Sequence, residues 1–121
     1  MTTKDKVKVI IQALDSKKGK DIQVLKVEQL TTMTEYFIIC TATSTTHVKA
    51  LADEVEFQMK EKLDTIQTHE DGYSSANWIV LDYGFAFVHV FLPEAREFYG
   101  LEKLWKESEP VALSEFIQEE S

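Results

Sequence analysis

One cysteine and three histidines, Cys40, His47, His69 and His89, are the side chains of this chain with the widest chemical reach. A thiol beside an imidazole would make a nucleophile. Cys40, however, lies inside "FIICTA", an apolar run where a packed thiol is the ordinary state. His69, Asp71 and His89 supply ligand atom types, but the chain holds no HxH, HxxxH or CxxC spacing, and His69 reads as a solvent-exposed loop residue. There is no GxGxxG phosphate loop. Nucleotidyl transfer would need paired carboxylates on a strand to hold Mg²⁺. Asp82 stands alone on its strand, and Glu70-Asp71 falls in a loop. No catalytic residue, metal ligand or cofactor is therefore assigned, and the expectation is a protein that is not an enzyme.

If these residues do no chemistry, the elements around them decide what they do. The chain has 121 residues, enough for one domain with a real core. Hydrophobic residues make up 44% and charged residues 28%, which argues for a globular fold. A single cysteine excludes an internal disulfide. The basic N-terminus does not read as a signal peptide, and no run of about 18 apolar residues suggests a membrane span, so a cytoplasmic protein is expected. Net charge is −8 and unevenly spread: residues 1–20 carry +4, residues 21–93 carry −7 and residues 94–121 carry −5. An acidic body disfavours direct binding to nucleic acid and would attract a basic protein surface; solubility alone is the plainer account.

Val7, Ile10, Ile11 and Leu14 recur at helical spacing, with Gly19 as a stop. Residues 21–30 and 35–42 read as strands, and their short link suggests antiparallel neighbours. Residues 44–63 form the clearest helix: Ser44 or Thr45 can cap it, and Val48, Leu51, Ala52, Val55, Met59 and Leu63 make one apolar stripe. Its acidic residues are a solvated face. A short strand is expected to begin at residue 65, before a turn at Asp71-Gly72. Strands at 78–82 and 85–92 follow, then a helix from Pro93, with Phe98, Leu101, Leu104 and Trp105 packing on the sheet and Arg96 pairing with a carboxylate such as Glu102. The fold class is α/β in the mixed α+β sense: one domain with a small mixed β-sheet flanked by helices.

The stretch "WIVLDYGFAFVHVFLPEAREFYGLEKLW", residues 78–105, holds both tryptophans. With Tyr83-Gly84 as a tight loop, Asp82 opposes Phe85, Val80 opposes Phe87 and Trp78 opposes His89. One hairpin face then carries Trp78, Val80, Asp82, Phe85, Phe87 and His89. The other carries Ile79, Leu81, Ala86, Val88 and Val90 and reads as core. The aromatic face is either covered, with His89 a hydrogen-bonded core histidine, or partly open, with the composition of an interface centre.

The same stretch resembles the signature of the ribosomal silencing factor family, also called RsfS or Iojap. Trp78, Asp82, Tyr83, Gly84, Val88, His89, Val90, Phe91, Arg96, Phe98, Tyr99, Leu101, Glu102, Leu104 and Trp105 match in order. "DIQVLKV", "TEYFIICTATSTTHVKALADEVE" and "EDG" extend the resemblance over residues 5–106. Phe85, Lys26 and Glu35 depart from the family pattern. The resemblance implies a nucleotidyltransferase-like topology without the catalytic motif, with a family domain over residues 1–108 and an acidic tail over 109–121. It implies binding to the large ribosomal subunit through its fourteenth ribosomal protein, and a steric block to subunit joining that represses translation. It also allows a homodimer. Partner contacts are expected at Trp78, Val80, Asp82, Tyr83, Phe87 and Tyr36. The competing classes are a nucleotidyltransferase-like enzyme and an acidic scaffold for another basic protein.

Overall fold

A computed structural model describes residues 3–27, 34–63, 65, 69–71, 77–94 and 109–111. The elements are α1 (Thr3–Ser16), β1 (Lys20–Lys26), β2 (Tyr36–Thr41), α2 (Thr45–Leu63), β3 (His69–Asp71), β4 (Trp78–Asp82), β5 (Ala86–Phe91) and β6 (Glu109–Val111). The expected mixed sheet forms, six strands in the order β3-β4-β5-β2-β1-β6. β1 and β2 pair antiparallel, as expected, and the central β2–β5 pair is parallel. In these central strands the residues facing the helices are buried, and Ile39 and Phe91 on the other face are buried too, so neither face is polar. That is why "FIIC" and "FVHVF" run nearly unbroken.

α1 and α2 lie on one face of the sheet. α1 buries Val7, Ile10, Ile11, Ala13 and Leu14, and α2 buries Val48, Leu51, Ala52, Val55 and Met59. They close over Val24, Ile38, Cys40, Ile79, Leu81, Ala86, Val88 and Val90 in one continuous core. Each fully buried Ile or Leu contributes roughly 1.5–3 kcal/mol. Ser44 is the cap of α2: its Oγ accepts the His47 N–H at 3.1 Å.

α1 stops at Ser16, ahead of Gly19 as expected, and the residue that takes the left-handed conformation is Lys18, at φ 61°. The Gly19 N–H donates to the Leu14 carbonyl at 2.9 Å and the Lys18 N–H to the Asp15 carbonyl at 3.0 Å, the nested pair of a Schellman motif. Gly19 is needed for a different reason. A Cβ there would collide with Cys40 Sγ and stand 3.0 Å from the Leu14 carbonyl oxygen, because α1 returns to the sheet directly over the thiol. The short strand expected from residue 65 lies instead at His69–Asp71, antiparallel to β4, so His69 and Glu70-Asp71 sit on a strand and not in a loop. Glu109–Val111, assigned from sequence to the acidic tail, pairs with β1 as an edge strand. Three residues around Pro110 are too short for a periodicity signal, and an edge is where a strand tolerates proline. Pro93 and Glu94 are helical, as expected. The remainder of the expected helix and its packing, with Arg96, Phe98, Leu101, Glu102, Leu104 and Trp105, falls on residues outside the described ones.

Lys18→Gly should stabilise the fold by about 1 kcal/mol by relieving a side chain held at positive φ. Gly19→Ala should destabilise it by about 1–3 kcal/mol. Cys40→Ala should recover part of that loss. Denaturant midpoints of the three variants and the Gly19→Ala/Cys40→Ala pair check both claims.

Candidate partner-binding surface around His89

The hairpin loop is one residue later than the sequence suggests. Tyr83 N–H donates to the Ala86 carbonyl at 3.0 Å, so the loop is Gly84-Phe85, with Gly84 at φ 83°. Opposing pairs are accordingly Asp82 with Phe87, Val80 with His89, and Trp78 with Phe91. Two causes favour this register. Asp82 Oδ1 accepts the Gly84 N–H at 2.8 Å, which makes Asp82 the residue that opens the turn. Tyr83 also keeps its ring in the core beneath the helices, where it is only 7% exposed. A loop shift of one residue moves each pair by two, so the faces keep their composition. Phe85 alone changes place: it leaves the aromatic face, packs at the edge of the helix-covered core and lies under the Lys6 ammonium at 5.4 Å.

On the face away from the helices, side chains form rows across four strands. Asp82, Phe87, Phe37 and Leu25 make one row; Val80, His89, Ile39 and Gln23 make the next. Trp78, Phe91 and Thr41 make a third. Burial is graded along these rows. Leu25, Ile39 and Phe91 are fully covered, whereas Trp78, Val80, Asp82, Phe87 and Phe37 are half-exposed. Phe37 stacks on Phe87 with ring centroids 5.8 Å apart and planes within 8°. Sequence alone points to Tyr36 beside the hairpin, but the strand parity sends Tyr36 to the helix side and Phe37 to this face. In "EYFIIC" both faces are apolar, so alternation alone gives no parity. Of the six expected contact residues, the fold brings together Trp78, Val80, Asp82 and Phe87. Tyr36 and Tyr83 lie on the opposite, helix-covered side.

His89 sits at the middle of this surface and is 5% exposed. The Trp78 indole Nε1 donates to its Nδ1 at 3.1 Å. Phe37 lies 4.8 Å from the imidazole and Trp78 5.8 Å, with Phe87 and Phe91 on the same strand at 6.4 and 6.5 Å. An indole can only donate, so Nδ1 must be unprotonated, and the neutral ring carries its proton on Nε2. That Nε2 is buried and has no hydrogen-bond partner. Leaving such a donor unmet costs about 1–3 kcal/mol. Burial among rings also disfavours the imidazolium and lowers the His89 pKa from 6.5 to about 4.

Cys40 and His47 have structural places. Cys40 is buried on the helix side beside Gly19. His47 is engaged through both nitrogens: Nδ1 accepts the Thr43 N–H at 2.9 Å, and Nε2 donates to the Lys17 carbonyl at 2.8 Å. The ring thereby ties the start of α2 to the end of α1. Among the described residues no group of three His, Cys, Asp or Glu side chains could hold a metal ion. No helix among them is long and apolar enough to cross a membrane.

A mixed sheet covered by helices on one face, with half-exposed rings beside a carboxylate on the other, defines a protein with an interface-like surface. The chain belongs to the ribosomal silencing factor family: residues 1–121 match the family described as "Ribosomal silencing factor during starvation". The family is one of ribosome-associated factors that silence translation. Ribosomal silencing factor RsfS of Bacillus subtilis is 35% identical over 116 residues, spanning 96% of this chain and 97% of that protein. "Mitochondrial assembly of ribosomal large subunit protein 1" of Mus musculus is 32% identical, across 82% of this chain and 44% of that protein. A crystal structure of a Chromobacterium violaceum protein superimposes with a TM-score of 0.83 at 36% identity, over 92% of both chains.

The buried imidazole makes stability depend on pH. Unfolded, the ring titrates at 6.5; folded, at about 4. Between those values the unfolded chain holds the extra proton, so this contribution is fully present above pH 6.5 and is lost as pH falls towards 4. The loss should approach about 3 kcal/mol, at roughly 1.4 kcal/mol per pH unit. Unfolding free energies of the wild type and His89→Phe, measured from pH 7.5 to 4, should diverge by that order, with the wild type falling faster.

Proposed function

We propose that this chain binds the large ribosomal subunit through its fourteenth ribosomal protein, using the half-exposed rings around Trp78, and that the bound body keeps the small subunit from joining. The supporting observation is the graded surface itself. Trp78, Val80, Phe87 and Phe37 present apolar area beside the carboxylate of Asp82 on a chain of net charge −8. Large rings at a water-excluded centre supply most of an interface's affinity. Acidic groups beside them orient a basic ribosomal protein and speed its encounter. Trp78 is the anchor, with Val80 and Phe87 flanking it and Phe37 extending the patch. Tyr36 and Tyr83, on the opposite side of the sheet, are left out of the contact.

The mechanism needs no chemical step, cofactor or metal. Repression is steric, and holds while the free concentration of the protein exceeds its Kd for the subunit. The setting is the cytoplasm, where ribosomal subunits meet. Asp82 has two duties in this reading, since its Oδ1 also holds the Gly84 N–H in the turn. Replacing it by lysine would disturb both the field and the turn. Replacing it by asparagine keeps an acceptor and removes the charge.

Trp78→Ala should weaken binding to purified large subunits by about 30- to 1,000-fold, corresponding to roughly 2–4 kcal/mol. It should release subunit joining in step. Asp82→Asn should slow association several-fold and flatten its salt dependence while leaving dissociation nearly unchanged, and Asp82→Lys should be worse on both counts. A folded Trp78→Ala variant with wild-type affinity would remove this face from the mechanism.

A further inference from the structure

We propose that His89 is a positioning residue for the docking surface: its Nδ1 holds the Trp78 indole in the orientation the partner meets. This deepens the binding reading above and rests on it. The observation behind it is a polar group kept where an apolar one would suit the fold better. His89 lies between Val80 and Ile39 in its row and between Phe87 and Phe91 along its strand. Phe37 packs diagonally against it. Every one of these neighbours is apolar, and Nε2 is left buried without a partner. Breaking a local rule without a gain in stability is expected at functional positions.

The gain is in order. Trp78 is half-exposed and packs on Phe91 with ring centroids 6.1 Å apart, a ring contact that by itself does not direct the indole N–H. His89 is buried and fixed by Phe37 at 4.8 Å, so its lone pair has a set direction. The hydrogen bond at 3.1 Å passes that order outward to the indole, which stacks on the imidazole at 5.8 Å and 29°. A ring already held in its bound orientation loses less freedom when a partner covers it. Burial keeps the imidazole neutral at ordinary pH, so the acceptor is always available. An indole serves here where a phenyl ring would not, because only the indole carries the N–H.

The experiment compares wild type, His89→Phe, His89→Asn, Trp78→Phe, Trp78→Ala and the His89→Phe/Trp78→Phe pair. Three quantities are read: affinity for purified large subunits, thermal midpoint, and the indole ¹H–¹⁵N resonance of Trp78, assigned by its loss in Trp78→Phe. His89→Phe removes the orphan donor and keeps a ring, so its midpoint should equal or exceed the wild type's. Its affinity should nonetheless fall about 3- to 10-fold, the scale of one side chain left unordered before binding. The indole proton should shift upfield and exchange faster with solvent. Asparagine can place an oxygen where Nδ1 stands, so His89→Asn should bind better than His89→Phe while being the less stable of the two. The paired variant should bind no worse than the weaker of its two singles. Affinity that simply follows stability across the His89 variants, or additive losses in the pair, would overturn the positioning role. If Trp78→Ala weakens binding and His89→Phe does not, this inference alone fails; if Trp78→Ala binds normally, the docking reading fails with it.

Discussion

Both helices lie on the same side of the sheet, and the surface chemistry of this protein follows from that. With α1 and α2 spent on one face, alternation along β4, β5 and β2 sends Ile79, Leu81, Val88, Val90, Ile38 and Cys40 inward beneath them. The same alternation delivers Trp78, Val80, Asp82, Phe87, His89 and Phe37 to the other face. Among the described residues the candidate contact surface is the reverse side of the core, carried by the central strands. Sites on such elements are held more closely than sites on loops.

That face is graded, and the grading suits binding. Leu25, Ile39 and Phe91 are fully covered and anchor it to the fold, while Trp78, Phe87 and Phe37 remain half-exposed. A uniformly open apolar face would invite aggregation. Here the exposed part is small and polar groups interrupt it: Asp82 opens the turn, and His89 takes the centre. The imidazole is the costly member, a desolvated base with one nitrogen unmet. Its position between Trp78 and Phe37 makes its contribution one of orientation, set against stability.

The scaffold shows a related economy in backbone geometry. α1 ends with Lys18 in a left-handed conformation, and glycine is reserved for the next position, where α1 meets Cys40 too closely for a Cβ. Steric exclusion at the helix–sheet junction outranks the modest cost of a left-handed lysine. His47 ties the same corner from the α2 side, through Thr43 and the Lys17 carbonyl. Residues that look like chemistry in a list of reactive side chains are here parts of the joint between α1, β2 and α2.

The sequence by itself determined the class of fold, both long helices and their buried stripes, the antiparallel start of the sheet, the composition of the two hairpin faces and the family. Each of these rests on local periodicity or on a dense motif, and both survive any folding context. Tertiary structure decided the loop at Gly84-Phe85, the choice of Phe37 over Tyr36, the inward turn of Tyr83, the strand positions of β3 and β6, and the bond from Trp78 to His89. In those places the local signal was degenerate. A strand apolar on both faces has no readable parity, and three-residue strands have no period. A loop can slide by one residue without changing which side chains share a face. What settled them lay beyond the local pattern: the Tyr83 ring is covered beneath the helices, and β2 pairs in parallel with β5, a strand more than forty residues away; the turn bond from the Gly84 N–H to Asp82 is local but leaves no mark in hydrophobic periodicity.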